Sequence, residues 1–205
     1  MTADDLVLDE ARHLYSLDGI HVPSVTQILA PLSGMHLVNQ SVLAAACDFG
    51  RAVHKACELD DLGQLDEADL DPLLAPYLAA WRAFSKDHSV RWSHIEARVY
   101  HAQMGYAGTV DRYGVVAGSD AVVDLKSGAA LSATVGPQLA AYAKALPGTS
   151  VCTHRIGVLL KKDGRYQAKA YVEPTDWPVF ASLVTLRSFC ARHEVIPHFK
   201  EHIND

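Results

Sequence analysis

Ala121-Val122-Val123-Asp124-Leu125-Lys126-Ser127-Gly128 is the stretch on which the fold turns. An apolar run of strand length ends in Asp-x-Lys and then in small residues that suit a turn. Residues two apart on a strand share a face, so Asp124 and Lys126 point to the same side. A carboxylate and an ammonium at the end of so hydrophobic a strand are costly unless they are paired or used. Taken alone, the pair is equally well read as a salt bridge at the end of a sheet.

Upstream lies Gly105-Tyr106-Ala107-Gly108-Thr109-Val110-Asp111-Arg112, with Asp111 13 residues before Asp124. The intervening sequence reads as a hairpin turning at Gly118-Ser119, which makes the two strands neighbours and lets both aspartates reach one point. Glu96 falls on the strand before. Two or three acidic oxygens with a lysine beside them suit a hard divalent cation and a positioned water. Gly105 and Gly108 either allow a bulky polymer close to the backbone or serve turn and bulge geometry.

Two helical runs complete the constellation. In Gly50-Arg51-Ala52-Val53-His54-Lys55-Ala56-Cys57-Glu58, His54 and Glu58 are four apart and face one side, as a metal-binding pair or as a surface hydrogen bond. In Gln138-Leu139-Ala140-Ala141-Tyr142, Gln138 and Tyr142 share a face, either to touch a phosphate or base or to pack on the sheet.

Outward from these runs, the spacing predicts a hairpin over His13–Val22 turning at Asp18-Gly19 and a short helix capped by Ser24 that stops before Pro31. Helices follow over about 38–62, ended by Gly63, and from about Asp69–Pro72 through Trp81 and Phe84. Strands are expected from residue 92, over Gly105–Val116 and over Ala121–Leu125, then a helix over about 132–146. Two more strands, about 152–160 and 165–172, and a helix from Thr175 to near His193 close the chain. The pattern is one α/β domain over residues 1–205, a central mixed β-sheet flanked by helices, with the N-terminal hairpin and helix over about 13–32 and a core over about 38–192.

Composition narrows the functional classes. A net charge of −6 argues against a module that coats nucleic acid, yet not against a nuclease whose carboxylates recruit cations. No apolar run approaches the roughly 20 residues needed to cross a bilayer, and the acidic start Met1-Thr2-Ala3-Asp4-Asp5 is unlike a signal peptide. A soluble, intracellular protein without a membrane partner is expected.

The order His54-x-x-x-Glu58, Gly108-x-x-Asp111, Asp124-x-Lys126-Ser127-Gly128, Gln138-x-x-x-Tyr142 resembles the RecB-like branch of the PD-(D/E)XK nuclease superfamily. The segment Tyr15–Leu29 is similar to the opening of phage-type and mitochondrial-genome-maintenance exonucleases of that branch. The resemblance implies a restriction-endonuclease-like core and Mg²⁺ or Mn²⁺ held by His54, Asp111, Asp124 and the backbone carbonyl of Leu125. Glu58 and Glu96 would be outer groups or ligands of a second ion. It implies Lys126, with Asp124 and Asp111, as the catalytic set, and Gln138, Tyr142, Ser24, Arg51 and Ser127 as support or DNA contacts. The implied activity is hydrolysis of DNA at ends or in single strands, leaving 5′-phosphates, in the cytoplasm of a bacterial or phage-infected cell. With no GxxxxGK[ST] motif, unwinding would fall to a helicase or recombination partner. The alternatives are a silent nucleic-acid-binding or regulatory module on the same fold, or a hydrolase of another phosphoester.

Cys47, Cys57, Cys152 and Cys190 form no CxxC pair, and only two lie in the C-terminal part. A subgroup of the resembled branch holds an iron–sulfur cluster on one early and three clustered late cysteines, so no cluster is expected here. The purified protein should be colourless and titrate four thiols after denaturation without reductant. A brown preparation containing iron and acid-labile sulfide would refute this.

Overall fold

The computed structural model describes residues 6–10, 12, 14–33, 39–149 and 153–196. Its centre is a five-stranded mixed sheet in the order β4-β5-β6-β7-β8. These strands span Arg91–His101, Tyr106–Val116, Ser119–Lys126, His154–Leu160 and Tyr166–Ala170. Only β6 and β7 pair in parallel; the other neighbours are antiparallel. The apolar run quoted first is therefore the middle strand, and burial on both faces explains why it does not alternate with polar residues.

Each face carries its own core. Val122 packs with α1 (Val25–Leu29), α4 (Val135–Ala145) and α5 (Asp176–His193). Ala121, Val123 and Leu125 pack on the other face with α2 (Gln40–Asp61) and α3 (Ala75–Asp87). A third cluster, around Leu6, Tyr15, Leu17, Val22 and Ala107, seats a small sheet of β1 (Leu6–Asp9), β2 (Leu14–Leu17) and β3 (Ile20–Val22). The Tyr15 hydroxyl reaches Thr109 Oγ1 on β5 at 2.7 Å, fixing this sheet beside the central one.

Most local signals resolve as their chemistry predicts. Asp18 and Gly19 both have positive φ (51° and 76°), the two-residue hairpin turn expected of that dipeptide. His13, the expected first residue of the hairpin, lies outside the described residues. The Ser24 hydroxyl accepts from the Gln27 N–H while the Gln27 side chain accepts from the Ser24 N–H, a complete capping box. Asn39 caps α2 through the Ser41 N–H, and Gly63 follows its end with φ +66°.

Four expectations shift. Strand β1 precedes the expected hairpin and makes it a three-stranded sheet. Helix α3 begins at Ala75 rather than near Asp69, because the Asp66 and Asp71 carboxylates accept from the Ala68 and Leu73 N–H groups and close turns instead. The β5–β6 turn is Ala117-Gly118, one residue earlier than expected, and both have positive φ. Gly105 (φ +64°) serves a turn, while the space where a Gly108 side chain would stand is filled by the chain's own Tyr142 and Val25, with Gly108 also on the wall of the cleft described below.

Among the described residues no helix is long and apolar enough to cross a membrane. Cys47, Cys57 and Cys190 are free thiols, and burial pushes that of Cys57 up to about 12. Cys152 lies outside the described residues.

A Cβ at Gly108 would sit 2.7 Å from a Tyr142 ring carbon and 3.3 Å from Val25, closer than packed atoms tolerate. Gly108→Ala should therefore cost about 1–3 kcal/mol by overpacking, with Tm lower by about 2–4 °C per kcal/mol. An unchanged Tm in a thermal melt would show that the ring moves aside freely.

Candidate metal centre

The site forms where β5 and β6 part. Their pairing ends at Arg112↔Val123. One step further, Asp111 Oδ2 accepts the N–H of Leu125 at 2.7 Å, so a side chain supplies the acceptor for that strand amide. The break switches faces: Val110 packs into the α1–α4–α5 core, whereas Arg112, two residues on, reaches Asp61 of α2 and the Trp81 ring of α3. In a regular strand those two side chains would share a face. On β4, Ile95 and Ala97 are paired with β5 but Glu96 between them is not, and its φ is +48°. A non-glycine residue held in that conformation costs on the order of 1–3 kcal/mol, and such strain clusters at functional sites.

His54 reaches the fork from α2. Its Nε2 lies 3.0 Å from the Leu125 carbonyl oxygen, which can only accept, so Nε2 carries the proton. The Leu125 carbonyl, expected as a metal ligand, is here the group that orients His54. Nδ1 then faces Asp111 Oδ1 at 3.6 Å and Glu96 Oε1 at 4.0 Å. One ligand atom each from His54, Glu96 and Asp111 lies within 4.8 Å of the others, a set that could hold a metal ion.

Asp124 is held differently. Its Oδ1 accepts from Lys126 Nζ and from Gln138 Nε2 of α4, each at 2.9 Å. Lys126 Nζ also lies 2.7 Å from Oδ2, at an angle that makes no hydrogen bond, which leaves Oδ2 buried without a donor. The imidazole nitrogen of His54 and the carboxylate oxygens of Glu96 and Asp111 are donors that a divalent cation accepts.

Burial and mutual repulsion govern the charges. Burial first, then the Asp111 carboxylate, pushes Glu96 up to about 8 despite Arg112. Burial likewise raises Asp124 to about 6, opposed by Lys126 and assisted by Asp111. For Lys126 burial disfavours the ammonium, but Asp124 and Asp111 outweigh it and hold the group above its usual range. Tyr142, buried near both aspartates and 3.3 Å from Gln138 Nε2, stays protonated.

The remaining expected residues divide by position. A cleft of about 600 Å³ brings His54, Glu96, Asp111, Asp124, Lys126 and Gln138 together, with Glu58, Arg51, Ser24 and Tyr142 also on its walls. Glu58 pairs with Lys55 at 2.9 Å rather than with His54, and Arg51 pairs with Asp48. The Ser24 hydroxyl is spent on its capping box. Ser127 lies outside the cleft lining; a Cβ added at Gly50 would come 3.7 Å from its hydroxyl. Sequence reasoning missed Arg112, Asp61 and Trp81. The available signal was an arginine inside a strand otherwise fit for burial, which needs a partner. No family model and no curated protein matches the chain.

An acid whose pKa rises on folding binds more protons folded than unfolded between its two pKa values. For Glu96 that window runs from the ordinary 4.5 to about 8, and folding is opposed as pH rises through it. The metal-free protein should therefore lose thermal stability from about pH 5 to about pH 8, with a flatter profile for Glu96→Gln. Mn²⁺ should stabilise most at the upper end, where fewer protons must leave. Melts in EDTA and in Mn²⁺ read this directly. A Glu96→Gln profile parallel to wild type would remove Glu96 as a source of the pH dependence.

Proposed function

We propose that this chain is a Mg²⁺- or Mn²⁺-dependent deoxyribonuclease, an exonuclease acting on DNA ends or single strands and leaving 5′-phosphates. The observation that carries the reading is the meeting of Asp111, Asp124, His54 and Lys126 at the splayed end of the central strands. A structural salt bridge needs neither an imidazole nor a strained, unpaired strand residue at Glu96, whereas a metal-holding cleft would use both the His54 imidazole and the Glu96 carboxylate.

His54, Glu96 and Asp111 would hold the ion, with the Asp124–Lys126 pair on the wall of the same cleft. A divalent cation bound there would supply Lewis-acid chemistry, polarising a phosphoryl oxygen and acidifying a bound water. Lys126 keeps about a third of its side chain exposed, so its ammonium can orient the attacking water and offset charge developing at phosphorus. Gln138 fixes the Asp124 carboxylate on which Lys126 rests. Arg51, Lys55 and Arg98 also line the cleft, each paired with an acid (Asp48, Glu58 and Glu10) that a DNA phosphate would have to displace. The capping box uses two of the N–H groups at the start of α1, which weakens that helix end as a seat for a terminal phosphate. End preference therefore rests on the likeness of the Tyr15–Leu29 segment to exonucleases. A cytoplasmic setting and a helicase or recombination partner belong to the same proposal.

Lys126→Ala should lower single-turnover cleavage on the order of 10²–10⁴-fold in protein that remains folded at the assay temperature. Lys126→Arg should recover little, because a planar guanidinium does not replace a compact ammonium. End-labelled linear DNA should be degraded and covalently closed circles spared. Cleavage by folded Lys126→Ala within a few-fold of wild type would overturn the catalytic reading. Rapid cutting of closed single-stranded circles would indicate an endonuclease.

A further inference from the structure

Arg112 is fully buried on β5 and distributes its guanidinium among three acceptors. Nε donates to Asp61 Oδ2 of α2 at 2.7 Å, while Nη1 donates to Glu96 Oε1 at 3.0 Å and to the carbonyl of Asp111 at 2.6 Å. Asp61 is itself held by the indole N–H of Trp81, at 3.0 and 3.1 Å, and the guanidinium carbon lies 5.6 Å from a Trp81 ring centroid. Asp61 alone supplies one full counter-charge. The second arm, to a carboxylate still one-quarter exposed, is thus not needed to neutralise the arginine. It also leaves Nη2 buried without a hydrogen bond, an arrangement poorly suited to stability alone.

Glu96 is the residue that needs such an arm. It sits unpaired between two registered positions with a left-handed backbone, so the strand ladder does not fix where its carboxylate points. We propose that Arg112, anchored by Asp61 and Trp81, is the positioning residue that sets the Glu96 carboxylate beside His54 and Asp111 so that the three can hold one divalent cation. The inference rests on the metal-centre reading. It adds to that reading a support running from α3 through α2 and β5 to β4.

The test is Mn²⁺ titration by calorimetry of the full chain as wild type, Arg112→Lys, Glu96→Gln and the double variant, each checked by a thermal melt in EDTA. Arg112→Lys should weaken Mn²⁺ binding about 10–100-fold, the scale for groups that orient metal ligands. Because it acts through Glu96, the double variant should bind no more weakly than Glu96→Gln alone. Asp61→Asn, which loosens the anchor from the far side, should shift affinity in the same direction and decides the matter if Arg112→Lys does not fold. Mn²⁺ affinity within two-fold of wild type in a folded Arg112→Lys or Asp61→Asn protein, or additive losses in the double variant, would overturn the positioning role while leaving the metal centre standing. A wild-type chain that binds no Mn²⁺ would overturn the metal centre and this inference together.

Discussion

The hydrogen bond from the Leu125 N–H to the Asp111 carboxylate is the contact on which the site depends. A buried carboxylate requires donors, and a strand amide at the end of a ladder requires an acceptor. Joined to each other, both requirements are met, and β5 no longer pairs with β6 beyond Arg112. An apolar residue at position 111 would leave the amide to seek a backbone carbonyl, and the fork would tend to close. The cleft is in this sense a consequence of one side chain displacing a ladder contact.

The fork concentrates charge in a way that folding alone does not favour. Glu96 and Asp124 are both pushed upward by burial and by Asp111, and the cations Arg112 and Lys126 only partly offset that. Replacing such groups with apolar residues of like size is often neutral or stabilising in proteins generally. A left-handed backbone at Glu96 adds further cost. Strain, raised carboxyl pKa values and an undonated buried oxygen converge within one cleft, which is the signature of a site shaped for something other than stability.

What was legible in the sequence had a local cause. Asp18-Gly19, the Ser24 capping box, the helical spacing of Leu78, Trp81 and Phe84, and the shared face of Asp124 and Lys126 follow from residues a few positions apart. The Asp66 and Asp71 turns were obscured because the same acids are good helix starters. The face switch between Val110 and Arg112 was hidden for a deeper reason. Strand parity places them together, and the parity breaks where the ladders to both neighbours are interrupted, at Asp111–Leu125 on one side and at Glu96 on the other. Glu96 could be placed on the right strand, but its left-handed backbone and its clamp by Arg112 depend on neighbours from α2, α3 and β5. Of the three residues that could hold a metal ion, His54 and Asp111 stood out by motif, while the relation of Glu96 to them required the fold.

A β-sheet ordinarily separates its two faces, and here the two cores lie on opposite sides of it. His54 comes from α2 on one side, and Gln138 from α4 on the other. Side chains from such helices can approach one point only at an edge, beyond a strand end, or where neighbouring strands part. The parting at Asp111 lies in the middle of the sheet order, so it joins both cores to a single cleft. His54 enters it against the Leu125 backbone and Gln138 enters it against the Asp124 carboxylate, one residue apart on β6. His54 takes a backbone carbonyl and Gln138 a side-chain carboxylate, so the Asp-x-Lys segment is gripped by helices from both sides. The sequence order of the motifs, helix before the strands and helix after them, is the linear trace of this geometry. One helix must precede the fork to cover the α2–α3 face, and the other must follow it to cover the α4–α5 face on the crossover from β6 to its parallel neighbour β7.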